Sequence, residues 1–343
     1  MDAVIPDILP RFGLPRDVPV ERIPTGHINW TYRIAGSRPY ILQKLNTQVF
    51  VRPDAIESNL RITGAYLRAH HPDFRFVAPL PSVDGTQMVF DADGQPWRLF
   101  EYIANTFTID QAENIDQAFQ AAAEFGRLGH YLSQVDVTQI QPTIDRFHDL
   151  PWRYQQLNEA LRGSTPQRRE EAHEAISAAQ RHATLVDRYR RLIDEGTLRL
   201  GVFHNDTKIN NVLFDATTQK TVAVIDLDTM MPGYFIYDLG DLVRTLVSPV
   251  SEEEQDLSQV VFRKPFYDAV VDGYMTAMGT ACSKQEKQHA SFAGPMMTYI
   301  MAIRFLADFL RGDTYYHTTY PGQNLVRARN QLRLVDLLVS HES

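Results

Sequence analysis

What most constrains the fold of this chain is a change of character near residue 104. Before it, short runs suited to strands recur: Trp30–Ile34 and residues 40–45, separated by the turn-forming Gly36-Ser37-Arg38-Pro39, then residues 74–77, 87–90 and 97–103. Ile56, Leu60 and Leu67 fall near helical spacing behind Pro53-Asp54, a helix start. After it the apolar residues take helical spacing over Ile115–Leu132 and residues 167–193, 297–310 and 325–339. Leu185, Tyr189 and Leu192 trace one face before Gly196 offers a stop. One β-rich island, residues 200–228, interrupts these helices. Strand, strand, helix and more strands, followed by helices, predicts an α+β chain: a small antiparallel sheet lobe with one helix, then a larger, mainly helical lobe. The expected domains are residues 1–103 and 104–343, joined by a short crossing near 102–106 and facing each other across a cleft.

Composition closes off several alternatives. The 343 residues suit two units at roughly 150 residues each. With 44% hydrophobic and 22% charged residues the chain is expected to pack rather than stay disordered. Against 42 Asp and Glu stand 34 Lys and Arg, and the net charge of -8 argues against a nucleic-acid partner. Cys282 is the only cysteine, which excludes an internal disulfide and a cysteine-based zinc cluster. No run approaches the roughly 18 apolar residues of a membrane span. Met1-Asp2-Ala3-Val4-Ile5-Pro6 lacks the plan of an export signal, so the expectation is a soluble cytoplasmic protein with no membrane partner.

The β island carries the chemistry. Val212-Leu213-Phe214 and Val222-Ala223-Val224-Ile225 are apolar runs joined by a polar connection, residues 215–220, which reads as a β-hairpin. Asn211 enters it and Asp226-Leu227-Asp228 leaves it, so Asn211 and Asp226 are expected side by side at one end. Asp206 comes from the loop leading into that same end. Asn and Asp oxygens are hard ligands suited to Mg²⁺ and the phosphates it accompanies. A separate carboxylate can orient a hydroxyl and take its proton during phosphoryl transfer. Lys208 can meet the transferring phosphate as a point charge. A lone Asp or Asn in a loop is usually a turn former; the set His204-x-Asp206-x-Lys208-x-x-Asn211, a hairpin and an acidic pair together favour catalysis.

His204-Asn205-Asp206-Thr207-Lys208-Ile209-Asn210-Asn211 resembles the catalytic loop H-x-D-x-x-x-x-N of kinase-like phosphotransferases, and Asp226 falls where these keep their principal metal-binding aspartate. Ile225-Asp226-Leu227-Asp228 resembles the I-D-x-[DE] of the aminoglycoside phosphotransferase and choline kinase-like family. Within it, Gly26-His27-Ile28-Asn29, Tyr40-Ile41-Leu42-Gln43, Arg146-Phe147-His148-Asp149, Arg304-Phe305-Leu306-Ala307-Asp308 and Asn324-Leu325-Val326-Arg327 are similar to the N-acetylhexosamine 1-kinases. The resemblance implies a bilobal protein-kinase-like fold. It also implies transfer of the ATP γ-phosphate to the anomeric hydroxyl of N-acetylglucosamine or N-acetylgalactosamine, with Asp206 as base, Lys208 at the γ-phosphate, and Asn211 and Asp226 on Mg²⁺.

By the same resemblance, Gly26 belongs to the phosphate loop, and backbone groups of Glu101 and Ile103 meet adenine at the hinge. Gln43 occupies the strand position where the wider superfamily carries Lys or Arg for the α- and β-phosphates; this departure puts the usual ion pair with a helix glutamate in doubt. Lys44 and Glu57 read as ordinary solvated charges. His27 and Asn29 are candidates for sugar or phosphate contact, and Asp228 for metal or sugar. Asp238 is expected to brace the catalytic loop. Arg304, a charge in an otherwise apolar helix, Tyr315 and Thr229 are the expected sugar contacts; an ion pair with Asp308 one turn on competes for Arg304.

Overall fold

The computed structural model describes residues 3–24 and 28–342, so the expectations for Gly26 and His27 lie outside the described residues. The chain forms two compact units: residues 1–107, 134–145 and 213–232 make the first, and residues 108–133, 146–212 and 233–343 the second.

The first unit is built on a five-stranded sheet in the order β1-β2-β3-β5-β4. Its strands are β1 Val20–Ile23, β2 Trp30–Ile34, β3 Tyr40–Lys44, β4 Val89–Phe90 and β5 Pro96–Glu101, all paired antiparallel. Alternation sends Tyr32, Ile34, Leu42, Trp97 and Leu99 to one face, where Ile5, Ile8 and Leu9 of the N-terminal turns close the core. The intervening positions put Thr31 opposite Gln43 and Gln43 opposite Arg98. Helix Pro53–His70 starts with proline at its first position, where no amide partner is lost, and buries Ala55, Ile56, Leu60 and Leu67. The predicted hairpin is present: Val212–Asp215 lies between Thr106–Phe107 and Thr221–Val224 in a three-stranded sheet.

One strand expectation changes and one strand was not expected. Residues 74–77 contribute a single bridge, Phe76 to Val224, instead of a strand. β1 was not marked by the sequence, because its Glu21 and Arg22 are exposed on an edge strand and give no clear alternation.

The second unit is mainly helical. Ile115–Leu132 packs on Lys264–Met278, and Ala290–Arg311 packs on Gln323–Glu342, Phe235–Leu246 and Leu150–Gly163. The first pair approaches backbone to backbone: a Cβ on Gly126 would stand 2.5 Å from the Tyr274 carbonyl oxygen, and one on Gly273 2.5 Å from that of Phe119. The single helix expected over residues 167–193 is three, Pro166–Glu171, His173–Arg181 and Thr184–Asp194. Tight turns break it, such as Leu185 N–H to His182 O at 3.0 Å. The expectation about membrane-length runs also needs correction. Ala290–Arg311 is long and apolar enough to span a bilayer, although 78% of its most apolar window is buried inside the protein.

Candidate active site

In the second unit, the segment from His204 to Asn211 runs from strand Gly201–Phe203 to a 3₁₀ turn at Ile209–Asn211. Helix Phe235–Leu246 holds it by backbone. Asp238 accepts from the amides of His204 (3.2 Å) and Asn205 (2.7 Å), and Asp241, on the same helix face, accepts from the amide of Thr207 (3.0 Å). Thr207 Oγ1 donates to the Asp238 carbonyl at 2.7 Å. Asn205 takes left-handed backbone, φ 64°, which turns Asp206 away from the strand path. The His148 ring lies 2.8 Å from the Asn205 carbonyl, and His204 Nδ1 accepts from the Asp206 amide at 3.2 Å. Asp238 is therefore the brace anticipated for this loop, and Asp241, with Arg244 on its other oxygen at 2.8 Å, is a second one.

Asp206 is half-buried, with Lys208 Nζ at 3.1 Å from Oδ1. Burial pushes its carboxyl up, but Lys208, His204 and Arg244 outweigh burial and hold it below the ordinary aspartate value. Asp206 in turn raises the Lys208 ammonium above the usual lysine range. Asn211 spends its NH₂ on the Asp206 carbonyl oxygen at 2.9 Å and lies 3.5 Å from Oδ2. That orients the Asn211 amide and directs its oxygen, a hard donor, elsewhere. Burial pushes Asp238 up to about 7 and His148 down to about 3.

The first unit holds the other acidic cluster. Asp226 is exposed and left-handed, φ 59°, ψ 54°, at the start of the 3₁₀ turn Leu227–Thr229. Asp228 behind it is 1% exposed and is gripped by both terminal nitrogens of Arg98, one to Oδ2 at 2.8 Å, with Asn29 Nδ2 donating to Oδ2 at 2.8 Å. Gln43 takes Arg98 on its oxygen, at 2.8 Å from Nη2, and donates to Thr31 at 3.1 Å. Glu57 accepts from the Gln87 amide at 3.0 Å. Lys44 is not simply solvated: it sits 5.4 Å from the Trp97 ring centroid and 3.9 Å from Asp91. Thr229 is buried, at 6% exposure. At the end of β5, Glu101 pairs with Arg38 and Arg75 at 3.3 and 3.5 Å, while Ile103 is buried.

Arg304, also in the second unit, does not pair with Asp308. Its guanidinium lies 5.2 Å from the Phe147 ring centroid and 5.5 Å from that of Tyr316. Asp308 instead accepts from the amides of Thr314 (3.0 Å), Tyr315 (2.9 Å) and Tyr316 (2.9 Å) and from Asn324 Nδ2 (3.0 Å). Tyr315 is 61% exposed, and the buried Tyr316 hydroxyl has no hydrogen-bond partner among the described residues. Burial, with Arg304 next in weight, lowers the nearby Arg153 to about 9. Arg98, Asp241 and Arg153 were missed by sequence reasoning. The signals were a charge inside a buried strand and an i, i+3 acidic pair in an apolar helix.

The profile of the APH phosphotransferase enzyme family matches residues 19–270. Solved structures share the fold at low identity. A microcompartment-associated aminopropanol kinase is 18% identical, with TM-score 0.64 over 99% of this chain and 98% of that one. A spectinomycin phosphotransferase solved with ADP and spectinomycin is 12% identical, TM-score 0.65, covering 99% and 97%. A choline kinase from Streptococcus pneumoniae is 14% identical, TM-score 0.55, covering 94% of each chain. An antiparallel sheet unit with one long helix, a larger helical unit and a family match over most of the length lead to one conclusion: the chain belongs to the APH phosphotransferase enzyme family and has its protein-kinase-like fold.

Proposed function

We propose that this phosphotransferase moves the γ-phosphate of ATP to the anomeric hydroxyl of an N-acetylhexosamine, GlcNAc or GalNAc, and releases the sugar 1-phosphate. The observation that carries the acceptor class is Arg304. Its guanidinium faces the Phe147 and Tyr316 rings without a carboxylate partner among the described residues, near a second guanidinium on Arg153. A cationic, aromatic surface of this kind disfavours aminoglycosides and choline, which are cations themselves, and suits a neutral polyol with an amide. The Tyr316 hydroxyl, which has no partner among the described residues, and the exposed Tyr315 add phenols to it.

In this reading Asp206 accepts a hydrogen bond from the anomeric hydroxyl, orients it toward the γ-phosphorus and receives its proton. The depressed proton affinity of Asp206 fits that assignment, because a loose transition state needs alignment more than strong deprotonation. Lys208 steadies the γ-phosphate. Asn211 and Asp226 are the proposed residues for the Mg²⁺ of Mg·ATP, which would neutralise charge on the leaving diphosphate. Gln43, Gly26 and the backbone of Glu101 and Ile103 are proposed for ATP. His27, Asn29 and Thr229 join Arg304 and Tyr315 as proposed sugar contacts.

A coupled ADP-release assay with free hexoses, their N-acetyl derivatives, aminoglycosides, choline, homoserine and methylthioribose tests the reading, followed by phosphorus NMR of the product. ADP release with an N-acetylhexosamine and a phosphate on C1 supports it. Faster turnover of a cationic acceptor, or phosphate on C6, rejects the acceptor assignment and leaves the family untouched. No ADP release with any acceptor would favour a nucleotide-binding module without catalysis.

A further inference from the structure

The position that usually carries a cation on the third strand is Gln43, yet a cation is present one strand away. Arg98 on β5 stands in register with Gln43 on β3, which stands in register with Thr31 on β2. Side chains follow the same line: Thr31 accepts from Gln43 at 3.1 Å, and Gln43 accepts from Arg98 Nη2 at 2.8 Å. The line ends at Asp228, two residues beyond Asp226, gripped by both terminal nitrogens of Arg98. Arg98 and Asp228 are 2% and 1% exposed. A planar guanidinium matches a carboxylate with two parallel hydrogen bonds, which a lysine ammonium cannot do.

Asp226 itself stands in the left-handed region, a conformation that a non-glycine residue keeps only when its surroundings impose it. The residues after it are held at three points within the same unit. Arg98 and Asn29 hold Asp228, the Met230 amide closes the turn on Leu227 O at 3.0 Å, and Asn59 of helix Pro53–His70 donates to the Met230 carbonyl at 3.0 Å. Asn29 is fixed in turn, its oxygen accepting from the Asn46 amide at 3.0 Å.

We propose that Arg98 is the positioning residue for the loop that carries Asp226, and that Asp228 is the loop's anchor rather than a metal ligand. The charge arithmetic favours this. If Asp228 turned to a cation it would leave the Arg98 guanidinium buried without its carboxylate, a costly state. The proposal rests on the reading of Asp226 as a ligand of the Mg²⁺ of Mg·ATP, and it assigns the buried cation of this unit to loop geometry.

The test compares Arg98→Lys, Asp228→Asn, their combination and Asp226→Ala in the full chain. The readouts are the Mg²⁺ concentration for half-maximal rate, KM for Mg·ATP and the melting temperature. Expected is a tenfold or larger rise in half-saturating Mg²⁺ and in KM for Mg·ATP for Arg98→Lys, although Asp228 is intact. Asp228→Asn should match it, and the combination should add less than threefold. Should Arg98→Lys lose its melting transition, Arg98→Met with Asp228→Leu replaces the pair by apolar side chains and is expected to fold and show the same rise. A rise confined to variants lacking the Asp228 carboxylate, with Arg98→Lys like wild type, would make Asp228 a ligand and overturn the proposal. Wild-type Mg²⁺ and nucleotide dependence in the folded apolar pair would overturn it as well. Unchanged metal dependence in Asp226→Ala would instead remove the reading of Asp226 beneath it, whatever the Arg98 variants do.

Discussion

The Lys208 ammonium stands 3.1 Å from Asp206 Oδ1, inside a loop whose backbone is fixed by Asp238 and Asp241. The ammonium keeps the carboxylate ionised, while the backbone that carries it is held by two carboxylates that make no bond to it. Asp206→Asn should therefore fold, melt within a few degrees of wild type and bind nucleotide, yet lose about 10²–10⁴ of turnover, the range typical of a positioned acid–base group. Turnover within a few fold of wild type would end its assignment as base.

The same pair makes a prediction about pH. Lys208 is the leading charge that lowers Asp206 against burial. In Lys208→Met burial acts with less opposition, so the acidic limb of kcat/KM should move to higher pH, and the plateau should fall if Lys208 also meets the γ-phosphate. A limb that stays in place would show that Asp206 does not set it.

His148 predicts a pH dependence of stability. Burial lowers it from 6.5 to about 3, with Arg304 and Arg153 acting in the same direction. The unfolded chain thus binds a proton that the folded chain refuses between those values. The stability due to neutral His148 is fully present above pH 6.5 and is lost as pH falls toward 3, at up to about 1.4 kcal/mol per pH unit. Denaturant midpoints at pH 7.5, 6.5 and 5.5 should fall more steeply for wild type than for a folded His148→Gln. Parallel slopes would locate the acid sensitivity elsewhere.

Arg304→Ala removes a cation from two ring faces and, in the proposed reading, a fork of donors from the sugar. Acceptor KM should rise at least tenfold, about 1.4 kcal/mol, with KM for Mg·ATP unchanged. An equal rise in both constants would point to a general disturbance of the helical unit.

Asp308→Ala leaves three loop amides without their acceptor and takes one of two acceptors from the Asn324 NH₂, which keeps Asp313 at 2.9 Å. A loss of about 2–4 kcal/mol is expected in urea unfolding, together with faster amide exchange at residues 314–316. Wild-type exchange there would show that the loop keeps its path without the carboxylate.

Much of the architecture could be read from the chain because it rests on local patterns. β2, the helix Ile115–Leu132 and the hairpin after Asn211 follow from alternation, helical spacing and a polar turn. What escaped depends on tertiary partners. β1 is an edge strand whose partner defines it, and the N-terminal Ile5, Ile8 and Leu9 have meaning only against Trp97 and Leu99. Lys44 looks solvated until Trp30 and Trp97 are placed around it. At the site, the spacing of Asp206, Lys208 and Asn211 was legible because one loop carries all three. The bond of Arg98 to Asp228 joins positions 130 apart, and no local pattern announces it.

Asp308 grips its loop through main-chain amides, a group that every residue except proline supplies. The course of the backbone is thus insulated from the identity of the side chains at 314, 315 and 316. If the proposed acceptor site includes Tyr315, a lineage could exchange those three side chains one at a time on an unchanged bracket, and selectivity could drift there without the fold having to be relearned.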